Sequence, residues 1–193
     1  MAPLYCIELD RQQQQLLLGI ARQAIHCELN GRELPAPAPE SLGEPLTAQL
    51  GTFVTLSLNR ALRGCIGTLH GTQPLHVAVA DAARSAAAND PRFPPLQAHE
   101  LDSIRIEISV LSALQPLAAD SREALLASLR PGVDGLLLED RRHRSTFLPK
   151  VWEQLPDPEA FLAQLLAKAG LPSAHWSSTL RFQRYEATSF SEA

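Results

Sequence analysis

The sequence has little cysteine, no long apolar run and no excess of positive charge, and each shortage removes a class of protein. The three cysteines, Cys6, Cys27 and Cys65, are odd in number and widely spaced. A disulfide framework is not expected from them. There is no C-x-x-C and no H-x-x-x-H pair, so a dedicated zinc site has no support and no metal is expected. No apolar stretch approaches the roughly 18 residues needed to cross a bilayer. The first residues lack a basic segment leading into an apolar one with a small-residue cleavage site. The expectation is a cytoplasmic protein with no membrane partner. The formal net charge of -4 speaks against nucleic acid as ligand. The local exception is Arg141-Arg142-His143-Arg144, which reads as a solvated turn.

What is present is ordinary globular composition, with 45% apolar and 20% charged residues over 193 positions. That length can bury one core or two modest ones. Asp10 caps a helix running to about Glu28, with Gln13 at the capping-box position. Leu17, Ile20, Ala21, Ala24 and Ile25 share one face of it. Cys27 and His26, near its end, read as structural. Residues 32–48 hold four prolines and read as an extended connector. Residues 51–58 alternate as a strand. Asn59-Arg60-Ala61 reverses the chain, and residues 62–69 return as the second arm of a hairpin.

Gly71-Thr72-Gln73-Pro74 opens a helix, with the proline in its first turn and Leu75, Val79, Ala82, Ala83 and Ala86 as its buried stripe. It ends in Asp90-Pro91-Arg92-Phe93-Pro94-Pro95, whose three prolines hold the loop stiff. Ile104 to Leu111 is the clearest strand, with Arg105, Glu107 and Ser109 on its polar face. Asp120 or Ser121 starts a short helix. Residues 135–139 and 145–148 form a second hairpin, and Asp157-Pro158-Glu159 opens the last helix. Residues 180–189 read as one final strand. Hairpins mixed with isolated helices, and no repeated βαβ unit, predict an α+β fold with antiparallel sheet.

The residues that stand out are Leu62-Arg63-Gly64-Cys65-Ile66-Gly67-Thr68, a strand interrupted by two glycines around one thiol. Together with DPRFPP at 90–95, IRIEISVL at 104–111, GVDGLLLE and STFLPKVW at 132–139 and 145–152, and FLAQLLAKAGL at 161–171, this stretch resembles the AMMECR family, the AmmeMemoRadiSam system protein A proteins. The resemblance covers about residues 5 to 190. Two positions depart from the family pattern: Leu155-Pro156-Asp157 in place of a Trp-Asp pair, and Lys150 in place of Gln. The resemblance implies a single AMMECR-type domain over residues 1–193. It would be built as two subdomains with antiparallel sheets and flanking helices. The larger would hold both chain ends, and the Cys65 motif would face a cleft between them. It implies no established activity and no named cofactor. A protein or other large ligand is the implied partner. The family name adds a genomic association with Memo-type and radical SAM proteins.

The chemistry of the motif leaves two readings open. In one, the protein is a binding or accessory module. Arg63, Gly64, Ile66, Gly67, Asp90, Arg92 and Phe93 would form its binding surface, and no complete triad, metal set or nucleotide loop is needed. In the other, Cys65 is a nucleophile or thiol donor. A free thiol has a pKa near ~8.5 and gains thiolate character beside a cation; Arg63, on the same strand face, would supply one. Glu107 is then a candidate base, and His70 and His76 are the nearest imidazoles. The structural readings stand beside these. Cys65 can be a small buried hydrophobe, the glycines can mark tight packing against the alanine-rich helix, and Asp90 with Arg92 can brace their loop internally.

Overall fold

The computed structural model describes residues 7–35 and 42–192. Cys6, Pro37 and Pro39, and with the last two the middle of the expected connector, lie outside those residues. The chain divides into two compact units. One runs from Ile7 to Leu111 and resumes at Thr188; the other takes Ser112 to Ala187.

The unit that begins at Ile7 contains α1 (Arg11–Leu29), β1 (Thr52–Leu58), β2 (Ala61–Thr68), α2 (Leu75–Ala88) and β3 (Ile104–Leu111). A short 3-10 turn, Ala98–Glu100, precedes β3. Asp10 caps α1 as its sequence predicts, and Gln13 closes the capping box from the other side. Gly31, at a φ of +61°, follows the helix end. The β1–β2 hairpin turns on Asn59 and Arg60, whose φ values of 52° and 66° are both left-handed. That is the turn whose twist matches the strands it joins. β1 lies between β2 and β3, and β8 (Ala187–Ser191) adds to the outer side of β3, giving the order β2-β1-β3-β8.

One face of this sheet is apolar. Val54 and Leu56 from β1 and Ile104, Ile106, Ile108 and Val110 from β3 meet Leu17, Ala21, Ala24 and Ile25 of α1 and Val79, Ala83 and Ala86 of α2. Each fully buried Ile, Leu or Val is stabilised by about 1.5–3 kcal/mol relative to exposure. The alanines let α2 lie close to β2. A Cβ on Gly64 would stand 2.2 Å from the Ala86 carbonyl oxygen, so glycine there is a condition of that approach. The opposite face of the sheet is the polar one, and it carries Cys65.

The second unit has β4 (Gln115–Pro116), α3 (Arg122–Ser128), β5 (Gly135–Asp140), β6 (His143–Phe147), α4 (Pro158–Lys168) and β7 (Arg181–Tyr185), with sheet order β4-β7-β5-β6. Its core joins Leu136 and Leu138 to Phe161, Leu162, Leu165 and Leu166, and Trp152 stacks on Phe161 at 3.8 Å. The Trp152 indole N–H donates to the Asp134 carbonyl at 2.7 Å. Arg141 and Arg142 form the exposed β5–β6 turn.

Both sheets are antiparallel and the α+β expectation holds. Between β3 and β8 the direction follows from Ser109 meeting Ser189 while Ile106 meets Glu192. Three details differ from the sequence reading. The expected final strand is two strands in different sheets, β7 and β8. They break at Glu186, whose N–H donates to Ser112 Oγ and whose carbonyl accepts from Ser112 N–H. The two-residue β4 has no alternation to announce it. Pro74 caps α2 instead of sitting in its first turn.

Candidate functional site

β2 is an edge strand, and its chemistry begins with its register. Cys65 stands opposite Thr55, and Thr55 stands opposite Glu107 on β3. The period of two puts these three side chains in a row on the polar face. The Thr55 hydroxyl donates to the Cys65 sulfur at 3.3 Å. Glu107 lies one strand further on, about 10 Å of backbone spacing from Cys65, with Thr55 between them.

The backbone of Cys65 does not turn toward β1. Its N–H donates to Asp90 Oδ2 at 2.8 Å, and its carbonyl accepts from Arg92 Nη2 at 3.2 Å. Cys65 and Thr55 are therefore a non-hydrogen-bonded pair, the class in which side chains approach most closely. Both backbone groups of Cys65 point to the outer edge, where Asp90 and Arg92 take the place of a neighbouring strand.

The loop after α2 makes that possible. Asp90 follows the Asn89 cap of α2, and the next residue is proline. The Phe93 N–H returns to the Asp90 carbonyl at 3.1 Å, a tight turn, and the Leu96 N–H ties to Ala87 O at 2.7 Å. Asp90 accepts four hydrogen bonds: from Cys65 N, from Arg92 N, and from Arg92 Nε and Nη2 at 2.9 and 2.7 Å. The Asp90 side chain is 1% exposed and the Arg92 side chain 53%. The Arg92 hydrogen bonds, helped by the two backbone N–H groups, hold the Asp90 carboxyl well below the usual range against the opposing effect of burial. Arg92 also lies over the Phe93 ring at 5.5 Å. Of its five N–H groups, three are spent on Asp90 and Cys65. Nη1 makes no hydrogen bond to a described residue, and the guanidinium as a whole also interacts with the Cys65 side chain.

Arg63 requires a correction. Its guanidinium grips Glu100 with both arms, Nε to Oε1 at 2.8 Å and Nη2 to Oε2 at 2.9 Å, and donates to the Pro94 carbonyl at 2.9 Å. It is committed to the proline loop, so the expected activation of Cys65 by Arg63 has no group left to perform it. The physical reason is a register shift at Leu56/Ser57. There β2 carries an extra residue and Arg63 turns toward the loop. Glu100 is held at about 2, first by the Arg63 hydrogen bond and then by the Gln97 N–H, with burial opposing. The cation beside Cys65 is Arg92.

The other expected residues are placed as follows. Ile66 packs on the apolar core. Gly64 lies under Ala86. A Cβ on Gly67 would meet Thr52 O at 2.1 Å and the Phe53 ring at 2.7 Å. The glycines thus serve close packing. His76 Nδ1 donates to Leu46 O at 3.0 Å. No group of three His, Cys, Asp or Glu able to hold a metal exists among the described residues. No helix among them is long and apolar enough to cross a membrane.

A second polar cluster has no local signal in the sequence. Asp140, at the end of β5 and 4% exposed, accepts from His175 Nε2 at 2.6 Å, from Ser177 Oγ at 2.9 Å and from Thr179 Oγ1. The Thr179 and His175 hydrogen bonds lower its carboxyl to about 2. The three donors lie 35 to 39 residues away in sequence. Glu100 was missed for the same reason, being 37 residues from Arg63.

Known proteins share the sequence pattern and the fold of this chain. The family model AMMECR1 matches residues 18–190. A protein of Methanothermobacter thermautotrophicus is 39% identical over 186 residues, covering 95% of this chain and 96% of its own. Protein MJ0810 of Methanocaldococcus jannaschii is 37% identical, covering 89% and 86%. Among solved structures, the uncharacterized protein PH0010 from Pyrococcus horikoshii superposes with a TM-score of 0.87 at 33% identity, over 96% of this chain and 93% of its own.

Proposed function

This chain belongs to the AMMECR1 family, and from that premise we propose that it is a binding or accessory module that recognises a ligand through the Asp90–Arg92–Phe93 loop beside Cys65. The observation that carries the reading is the Nη1 side of Arg92. A half-exposed guanidinium is locked in place by a buried carboxylate, and its Nη1 makes no hydrogen bond to a described residue. Such a group loses little freedom on binding, which is what makes recognition economical. Arg63 and Glu100 hold the loop from its other end. The ligand of this reading is a protein or another large molecule. We place its action in the cytoplasm, where a free thiol such as Cys65 persists, in a pathway with Memo-type and radical SAM proteins.

A photo-crosslinking residue at Phe93 tests the reading in cells. The expected result is a crosslinked band that survives Cys65→Ser and fades with Arg92→Gln. A band that is lost with Cys65→Ser and kept with Arg92→Gln contradicts it. The second reading, thiol chemistry at Cys65, is favoured by one observation. The Thr55 hydroxyl donates to the sulfur, which is the hydrogen bond a thiolate would use.

A further inference from the structure

We propose that the open half of the β2 edge binds an extended peptide segment by strand pairing at Gly67, with a carboxylate of that segment on the Nη1 side of Arg92. The proposal rests on the binding-module reading and names the ligand class.

The edge has two places for an incoming strand. Backbone groups that point outward recur every second residue. Cys65 points outward, so Gly67 does too, since the β1–β2 register is regular from Thr52↔Thr68 through Thr55↔Cys65. The place at Cys65 is filled: Asp90 accepts from its N–H and Arg92 donates to its carbonyl. The N–H and C=O of Gly67 meet no partner among the described residues. The strand carries none of the usual edge guards there. β2 has no proline and no lysine, and its one arginine is turned away to Glu100. A strand added at Gly67 runs into the Asp90–Arg92 pair two residues on and has to stop or turn beside the guanidinium.

Chemistry then selects what stands at that point. With Nε and Nη2 already used, a carboxylate can take one charge-assisted hydrogen bond from Nη1, whose two N–H groups diverge. The local charges cancel in pairs, Asp90 with Arg92 and Glu100 with Arg63. No surplus of positive charge remains for a phosphate dianion or a nucleic-acid backbone. A single carboxylate, from Asp, Glu or a chain end, fits the site through a hydrogen bond from the open Nη1 and not through net charge. Main-chain pairing supplies affinity and the carboxylate supplies position.

The test uses displayed random peptides of about seven residues, the usual strand length, selected on the full chain and on Arg92→Gln. Wild-type selection is expected to enrich Asp or Glu at one position, and the variant to lose that enrichment. Changing the selected acid to its amide in the peptide, on unaltered protein, is expected to weaken binding about tenfold, or about 1.4 kcal/mol. The Gly67 amide is expected to exchange more slowly with the peptide bound. Peptides with no acidic preference, an unaltered Gly67 amide, or no peptide that depends on Arg92 would each overturn the proposal. Those results leave the binding reading standing if Arg92→Gln still fades the Phe93 crosslink. Loss of that crosslink on Cys65→Ser overturns the binding reading itself, whatever the peptides do.

Discussion

Asp90 and Cys65 are joined by a 2.8 Å hydrogen bond in which a carboxylate 1% exposed accepts from the backbone N–H of an edge strand. Residue 90 therefore holds the motif from outside the sheet and aims Arg92 at the same time. Asp90→Ala leaves the Cys65 N–H without its acceptor and Arg92 without its anchor. The expected cost is about 2–4 kcal/mol, read as a lower midpoint in urea. Asp90→Asn keeps one acceptor and is expected to cost less. Equal stability of Asp90→Ala and wild type would show that the pair is not a brace.

Arg63 and Glu100 form the other brace, each side chain 12% exposed. Arg63→Lys loses the two-armed contact and is expected to destabilise by about 1–3 kcal/mol. Its effect on crosslinking at Phe93 should follow loop stability and not a lost contact to ligand. Suppression of the defect by a general stabilising mutation elsewhere checks that distinction.

Acid stability follows from the same two carboxylates. Glu100 sits at about 2 in the folded protein against an ordinary 4.5, and Asp90 is also well below its usual value. The stabilisation from a lowered carboxylate is fully present above the ordinary value and is lost as pH falls through the folded one. Stability is expected to decline between about pH 4.5 and 2 for this reason. Glu100→Gln is expected to flatten that part of the profile while lowering stability at neutral pH. A profile unchanged by the substitution would contradict the assignment.

Gly64→Ala places a methyl group 2.2 Å from the Ala86 carbonyl oxygen. Backbone cannot yield as a flexible side chain can, and a loss of about 3 kcal/mol is expected. Thermal melts of this variant beside Gly43→Ala, where nothing lies within 4 Å, separate the packing effect from the general loss of glycine.

The Asp140 cluster predicts a tethered loop. Asp140→Ala releases the His175, Ser177 and Thr179 side chains together. Limited proteolysis should then cut within residues 172–179 faster than in wild type. Cleavage at an unaltered rate would mean that other contacts hold that loop.

Much of the scaffold was legible in the sequence because it is written locally. The α1 cap reads from Asp10 and Gln13, β3 from its strict alternation, and the α4 start from Asp157-Pro158. The hairpin at Asn59-Arg60 reads from its two flanking runs. The site was legible in membership but not in wiring. Cys65, Asp90 and Arg92 could be picked out by residue type and by the stiff loop. That Arg63 pairs with Glu100 could not, since one extra residue opposite Leu56/Ser57 redirects it. No period in the sequence announces such a bulge. The purpose of Gly64 was likewise visible only once α2 was seen to cross it. The split between β7 and β8 depends on Ser112 reaching Glu186, a contact 74 residues long in sequence.

The central claim is that recognition by Arg92, and not sulfur chemistry at Cys65, is the protein's work. Growth of cells in which the native copy is replaced by Cys65→Ser or by Arg92→Gln, each confirmed folded by its urea midpoint, tests it most directly. The account predicts that Cys65→Ser supports growth as the wild type does and that Arg92→Gln behaves as a deletion. A failing Cys65→Ser beside a healthy Arg92→Gln would contradict it.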